Sequence, residues 1–128
     1  SPSRKVPAVR MASLAKRLAV EGYGLVLVSG DVDGVWRQAF LRAAPECRDV
    51  STRIGLPEAV TLARSCDGWL GGSDAMTLLA ALSGARTVIV SEGEDAAMRI
   101  LPAGRTTWLQ GDDLSLLSIG DMMQAILP

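Results

Sequence analysis

Histidine is absent from the 128 residues, and cysteine is nearly so, with only Cys47 and Cys66. Without histidine the chain lacks the commonest general base and the commonest metal ligand, so Ser-His-Asp and Cys-His chemistry within it is excluded. Two cysteines with no C-x-x-C pair build neither a metal site nor a disulfide framework, and they read as ordinary buried thiols of a reducing compartment. Aromatic residues amount to 4%, and Trp36, Trp69 and Trp108 are too dispersed for a base-stacking platform; each reads as half-buried packing. An excess of charge is missing too. With 13 basic and 14 acidic residues the net charge is −1, which leaves no basic field to hold a nucleic-acid backbone. No apolar run reaches the roughly 18 residues needed to span a bilayer. Ser1-Pro2-Ser3-Arg4-Lys5 has no apolar h-region behind it and is not a signal peptide, so the expected location is the cytoplasm. Opening on Ser1 rather than Met, the chain reads as a piece of something longer or as one with an added residue at its start.

What is present is a chain 48% hydrophobic, with Ala, Leu and Val supplying most of that share, as suits helices packed closely on a parallel sheet. Met11, Leu14, Ala15 and Leu18 recur at helical spacing between Pro7 and Glu21, with Arg10, Lys16 and Arg17 on other faces, and Gly22 and Gly24 end that helix. Leu25-Val26-Leu27-Val28 is a continuous apolar run of strand length, which predicts a strand buried on both faces. A second helix is expected over 36–44, a short strand over 48–51, and a third helix from Pro57 to Ser65 with the proline in its first turn. Gly68-Trp69-Leu70-Gly71 reads as a short strand. Gly72-Ser73-Asp74 then turns into a helix over 74–83 that is apolar nearly all round and should be largely buried, with Gly84 placed to cap it. Thr87-Val88-Ile89-Val90 is the clearest strand. A short helix around 95–101, a strand near 106–109 and a last helix opening on Ser118, with Asp121 at capping-box spacing, complete the order. Helix followed by alternating strand and helix, joined by short connections, predicts one α/β domain over 1–128: a Rossmann-like, doubly wound parallel sheet with helices on both faces.

Ligands of such sheets bind beyond the carboxyl ends of the strands, beside helix N-termini. Two turns have a fitting composition. In Ser29-Gly30-Asp31-Val32-Asp33-Gly34, glycine permits close backbone approach and a carboxylate is available to a ribose; a plain strand-to-helix turn with a capping Asp is the other reading. In Gly71-Gly72-Ser73-Asp74, free backbone N–H groups and the positive end of the helix dipole suit an anion, while Ser73 and Asp74 equally suit capping. Arg4 and Lys5 are available as cations for a diphosphate or as a solvated tail. Glu92, Glu94 and Asp95, like Asp112-Asp113, read as solvated loops, since paired carboxylates without spacing evidence do not make an acid–base pair.

The run from Ser65 to Val88, with Gly71-Gly72-Ser73-Asp74-Ala75 at its centre, resembles the C-terminal signature of the ADP-heptose:lipopolysaccharide heptosyltransferases, glycosyltransferase family 9. Val6-Pro7-Ala8-Val9-Arg10-Met11 leading to Leu25–Gly30 is similar to that family's Trp-Pro helix and following strand, and Leu117–Met123 resembles its closing helix. The resemblance covers almost the whole chain in matching order. It implies the C-terminal half of a bacterial two-domain GT-B enzyme of lipopolysaccharide biosynthesis, a domain that binds a nucleotide-diphosphate sugar of the ADP-sugar type as donor and needs no separate cofactor or metal. It further implies that Arg4 or Lys5 contacts phosphate, that Gly30 and Asp33 lie near the donor ribose and Ile54 against the base, and that Gly72, Ser73, Asp74 and Ala75 face the diphosphate. The acceptor domain and the catalytic base would come from an N-terminal half, so no catalytic residue is expected here and the domain would not turn over alone. Ser73-Asp74-Ala75 stands where the family has Asp-Ser/Thr-Gly, and Leu78 stands at its His. Those departures leave a second expectation open: a catalytically degenerate domain that keeps the fold and serves as a binding or structural module.

Overall fold

A computed structural model describes residues 5–28, 34–51, 54–72, 75–91 and 105–127. Parallel strands alternate with helices: α1 (Ala8–Val20), β1 (Val26–Leu27), α2 (Gly34–Ala43), β2 (Arg48–Asp49), α3 (Leu56–Ser65), β3 (Trp69–Gly72), α4 (Ala75–Leu82), β4 (Thr87–Ser91), β5 (Thr106–Gln110) and α5 (Ile119–Ile126). The helix expected around 95–101 lies outside the described residues. Among those described, the strands divide into two parallel sheets, β1-β2 and β3-β4-β5, rather than the single doubly wound sheet expected.

β1 departs furthest from its expected form. Its apolar run predicted burial on both faces, yet only two residues pair with β2, Val26 with Arg48 and Leu27 with Asp49, and Val26 is 47% exposed. Leu25 and Leu27 pack under α1 and α2 against Ala12, Ala15, Phe40 and Ala44. Trp36 stacks on Phe40 with ring centroids 5.5 Å apart. Hydrophobicity that read as two-sided is used on one side.

β4 is what the sequence promised, buried at every residue from Thr87 to Ser91 and flanked in register by β3 and β5. Alternation along it separates the faces. Ile89 meets Ala81, Leu78 and Trp108, whereas Val90 meets Leu14 of α1 and Met122 of α5. This sheet therefore carries helices on both faces, and α1, with residues in both apolar clusters, joins it to the smaller one.

The helix ends follow local chemistry. Ser118 Oγ accepts from the Asp121 N–H at 3.2 Å, the capping interaction expected of that spacing. Gly84, at φ +93°, leaves α4 in the left-handed region that glycine enters at no steric cost. Pro57 is the second residue of α3. α4 is less enclosed than its composition suggested: Thr77, Ala80 and Ala81 are buried, but Leu82 is 56% exposed because it points off the sheet at the helix end. Asp113 is a cap rather than a solvated acid, its Oδ1 accepting from Ser115 N at 3.0 Å and Oγ at 2.6 Å to hold a 3-10 turn over Leu114–Leu116. All three tryptophans are half-buried. No helix among the described residues is long and apolar enough to cross a membrane.

Candidate functional site

Because the strands in each sheet are parallel, α2, α3 and α4 all begin at the carboxyl ends of the strands before them, β1, β2 and β3. That edge is where backbone N–H groups of helix first turns are free to meet a ligand. Gly72 is the last residue of β3 and is exposed, and α4 begins at Ala75. Ile54, half-buried, immediately precedes Gly55 at the start of α3, whose N–H is met by Glu58 Oε1 at 3.4 Å. Lys5 is exposed and adjoins Val6, whose carbonyl accepts from Trp36 Nε1 at 2.9 Å. That bond brings the segment before α1 onto the first turn of α2, at the end of β1. Of the residues singled out from sequence, Lys5 thus lies beside the end of β1, Ile54 follows β2, and Gly72 and Ala75 lie at the end of β3. Arg4, Gly30, Asp33, Ser73 and Asp74 lie outside the described residues.

Two constellations at this edge escaped the sequence reading. At the end of β2, Asp49 accepts from Ser51 N at 2.9 Å and faces Arg37 Nε of α2 at 3.4 Å. The Ser51 hydrogen bonds, with the Arg37 charge adding to them, hold its carboxyl below the usual range against the opposing effect of partial burial. An acid at a strand end some twenty residues after a glycine turn was the available signal. The second lies under Gly72. Thr77, in the first turn of α4, is 2% exposed, and its Oγ1 accepts from Trp69 Nε1 at 3.2 Å. A Cβ on Gly71 would collide with that same oxygen and stand 3.3 Å from both Thr77 carbons, Cβ and Cγ2. A lone threonine in an otherwise apolar helix was the sequence signal here.

Neither thiol is suited to chemistry. Burial, helped by Asp49 and Glu46, pushes Cys47 up to about 11. Burial also raises Cys66, so both stay protonated at neutral pH. A shallow open depression of about 320 Å³ between Leu109 and Gln110 of β5 and Asp121 and Gln124 of α5 does not include the strand-end residues named above.

No protein-family model matches the sequence, and no curated protein matches it. Solved structures do offer a match. ADP-heptose lps heptosyltransferase II of E. coli superposes with a TM-score of 0.82 over 98% of this chain, at 18% identity. The chain has the fold of one domain of that enzyme. It spans 42% of the enzyme's length, and so corresponds to a half-domain of a GT-B, heptosyltransferase-like fold. At this level of identity the similarity is one of architecture.

Proposed function

We propose that this chain is the donor-binding domain of a heptosyltransferase-like glycosyltransferase, taking a nucleotide-diphosphate sugar at the carboxyl edge of its strands. The observation that carries the proposal is the superposition of 98% of the chain on one domain of a heptosyltransferase. Gly72 and the first turn of α4 supply close-approaching backbone and free N–H groups for the diphosphate, together with Ser73 and Asp74. Arg4 or Lys5 offsets phosphate charge, Gly30 and Asp33 meet the ribose, and Ile54 supports the base. Catalysis by such a domain consists of positioning the donor and stabilising charge on the departing diphosphate. The acceptor site and the base belong to a companion domain outside this chain. An ADP-sugar as donor, a bacterial cytoplasmic setting and a role in lipopolysaccharide assembly follow from the same reading.

One observation favours a second reading. Leu78, at the position of the family's His, packs against the cluster of Ala81 and Ile89. A side chain used for packing where the family keeps a polar group fits a degenerate domain retained as a binding or structural module.

Ligand-observed NMR titration with ADP, UDP, GDP and an ADP-sugar, repeated on Gly72→Val, separates the two. Binding of one nucleotide that is lost in a folded Gly72→Val sample supports donor binding. Silence across the panel from a folded sample overturns it and leaves the module.

A further inference from the structure

We propose that Gly71, Thr77 and Trp69 form a gauge that sets the height of the first turn of α4 above the end of β3, and through it the fit of a nucleoside diphosphate. The proposal rests on the donor-binding reading and goes beyond it by naming residues that position the turn without touching the ligand.

The geometry is specific to this turn. The buried residues of α4 other than Thr77 are alanines, Ala80 with Ala63 and Ala85 and Ala81 with Ile89, with Leu78 partly buried beside them. Small side chains of this kind pack closely but do not by themselves fix where a helix sits along its axis. Thr77 differs on two counts. It is buried at 2%, where a hydroxyl without a partner is costly, and Trp69 Nε1 supplies a directional bond to it at 3.2 Å. Trp69 is itself held by Ala63, Ala80 and Ala85. The same threonine occupies the space where any side chain on Gly71 would project, so the Gly71 backbone rests directly on the Thr77 side chain. Gly71 directly precedes Gly72, and Thr77 is the third residue of α4. The contact therefore lies within one helical turn of the N–H groups that would receive the diphosphate.

The test measures ADP and adenosine affinities together with amide chemical shifts, in wild type, Gly71→Ala, Gly71→Ala/Thr77→Ala and Trp69→Phe. Gly71→Ala forces α4 away from β3. The amides of Met76, Thr77 and Leu78 are expected to shift and ADP to bind roughly tenfold more weakly, the range of helix-terminus charge effects, with adenosine affinity unchanged. Thr77→Ala in that background removes the colliding oxygen and Cγ2 together with the acceptor of the Trp69 bond. It is expected to return the amides toward wild type and the ADP affinity to the level of Trp69→Phe, which lies between wild type and Gly71→Ala. Trp69→Phe removes the bond without adding bulk, and is expected to weaken ADP but not adenosine. It carries the test alone should Gly71→Ala fail to fold. Equal loss of ADP and adenosine, undiminished ADP binding in Gly71→Ala or Trp69→Phe, or no recovery in the double variant overturns the gauge. If the wild type binds neither probe, the donor-binding reading has failed, and the amides decide the gauge alone: displacement in Gly71→Ala that reverses in the double variant supports it, and unmoved amides overturn it.

Discussion

Replacing Leu14 by alanine tests whether α1 makes one cooperative unit of two small sheets. Leu14 is 1% exposed and packs with Val6, Val90, Leu114 and Met122, while Ala12 and Ala15 of the same helix lie in the other cluster with Phe40 and Ala44. The substitution removes three carbons from a closed site. At about 0.8 kcal/mol per buried methylene the transfer loss is roughly 2.4 kcal/mol, and the residual cavity raises the total to about 3 kcal/mol. That is a large fraction of the roughly 5–15 kcal/mol that holds a domain of this size together. Urea denaturation followed by circular dichroism should show the midpoint falling with the slope unchanged, and thermal unfolding should shift down by about 10–15 °C. Native-state hydrogen exchange then locates the loss. The amides of Arg48 and Val50, bonded to the carbonyls of Leu25 and Leu27, report on the small sheet, and those of Trp69 and Thr87, bonded to the carbonyls of Arg86 and Arg105, report on the large one. If α1 couples the sheets, both pairs lose protection by the same amount. A loss under about 1 kcal/mol would contradict the packing described for Leu14. Undiminished protection at Arg48 and Val50 beside a large loss at Thr87 would refute the coupling.

Further expectations concern single local features. Ser118→Ala removes the bond to the Asp121 N–H and should cost about 1 kcal/mol by urea denaturation, with Ser118→Asn close to wild type. Gly84→Ala imposes a Cβ at φ +93° and should destabilise by about 1 kcal/mol or more, even though nothing lies within 4 Å of the added carbon. Because Cys47 is raised to about 11 in the folded chain, the native state holds that proton more tightly than the unfolded one. Its contribution is complete below the ordinary thiol range and should be lost as pH climbs from roughly 9 toward 11. Cys47→Ala, compared by urea denaturation across that window, should flatten this part of the pH dependence. The same burial predicts slow alkylation of Cys47 by iodoacetamide at pH 8, becoming fast in denaturant.

Those parts of the fold were legible in the sequence where one local cause decides the outcome. Thr87-Val88-Ile89-Val90 is a run of β-branched residues shortly after a helix-capping glycine, and no other element suits it. Ser118 carries its own cap three residues on, and Gly84 its own left-handed turn. Matters settled by what lies across the chain were not legible. The run Leu25–Val28 shows how apolar a segment is, but not that its partner strand pairs over two residues only or that helices cover a single face. Asp113 looked solvated because the residue it caps, Ser115, is an ordinary serine until the 3-10 turn forms. At the strand ends, glycine and charge pointed to Gly72 and Lys5, while Ile54 came only from the family resemblance. The contact of Gly71 with Thr77 depends on how closely α4 approaches β3, a distance that no spacing of letters encodes.

The clasp between α1 and α5 has a consequence for biosynthesis. Arg10 Nη1 donates to the Leu117 carbonyl across 107 positions of chain, and Leu14 meets Met122 over a similar span. At roughly 5–20 residues per second, a ribosome takes about 5–20 s to pass from one partner to the other. Throughout that interval α1 and the inner face of β4 await the helix that covers them. Such widely separated contacts place this chain among those that fold late and slowly, after the closing helix has left the exit tunnel. A ribosome stalled before residue 119 would present a nascent chain with Leu14 still open to solvent or to a chaperone, its partners Leu114 and Met122 being held in the tunnel or not yet made.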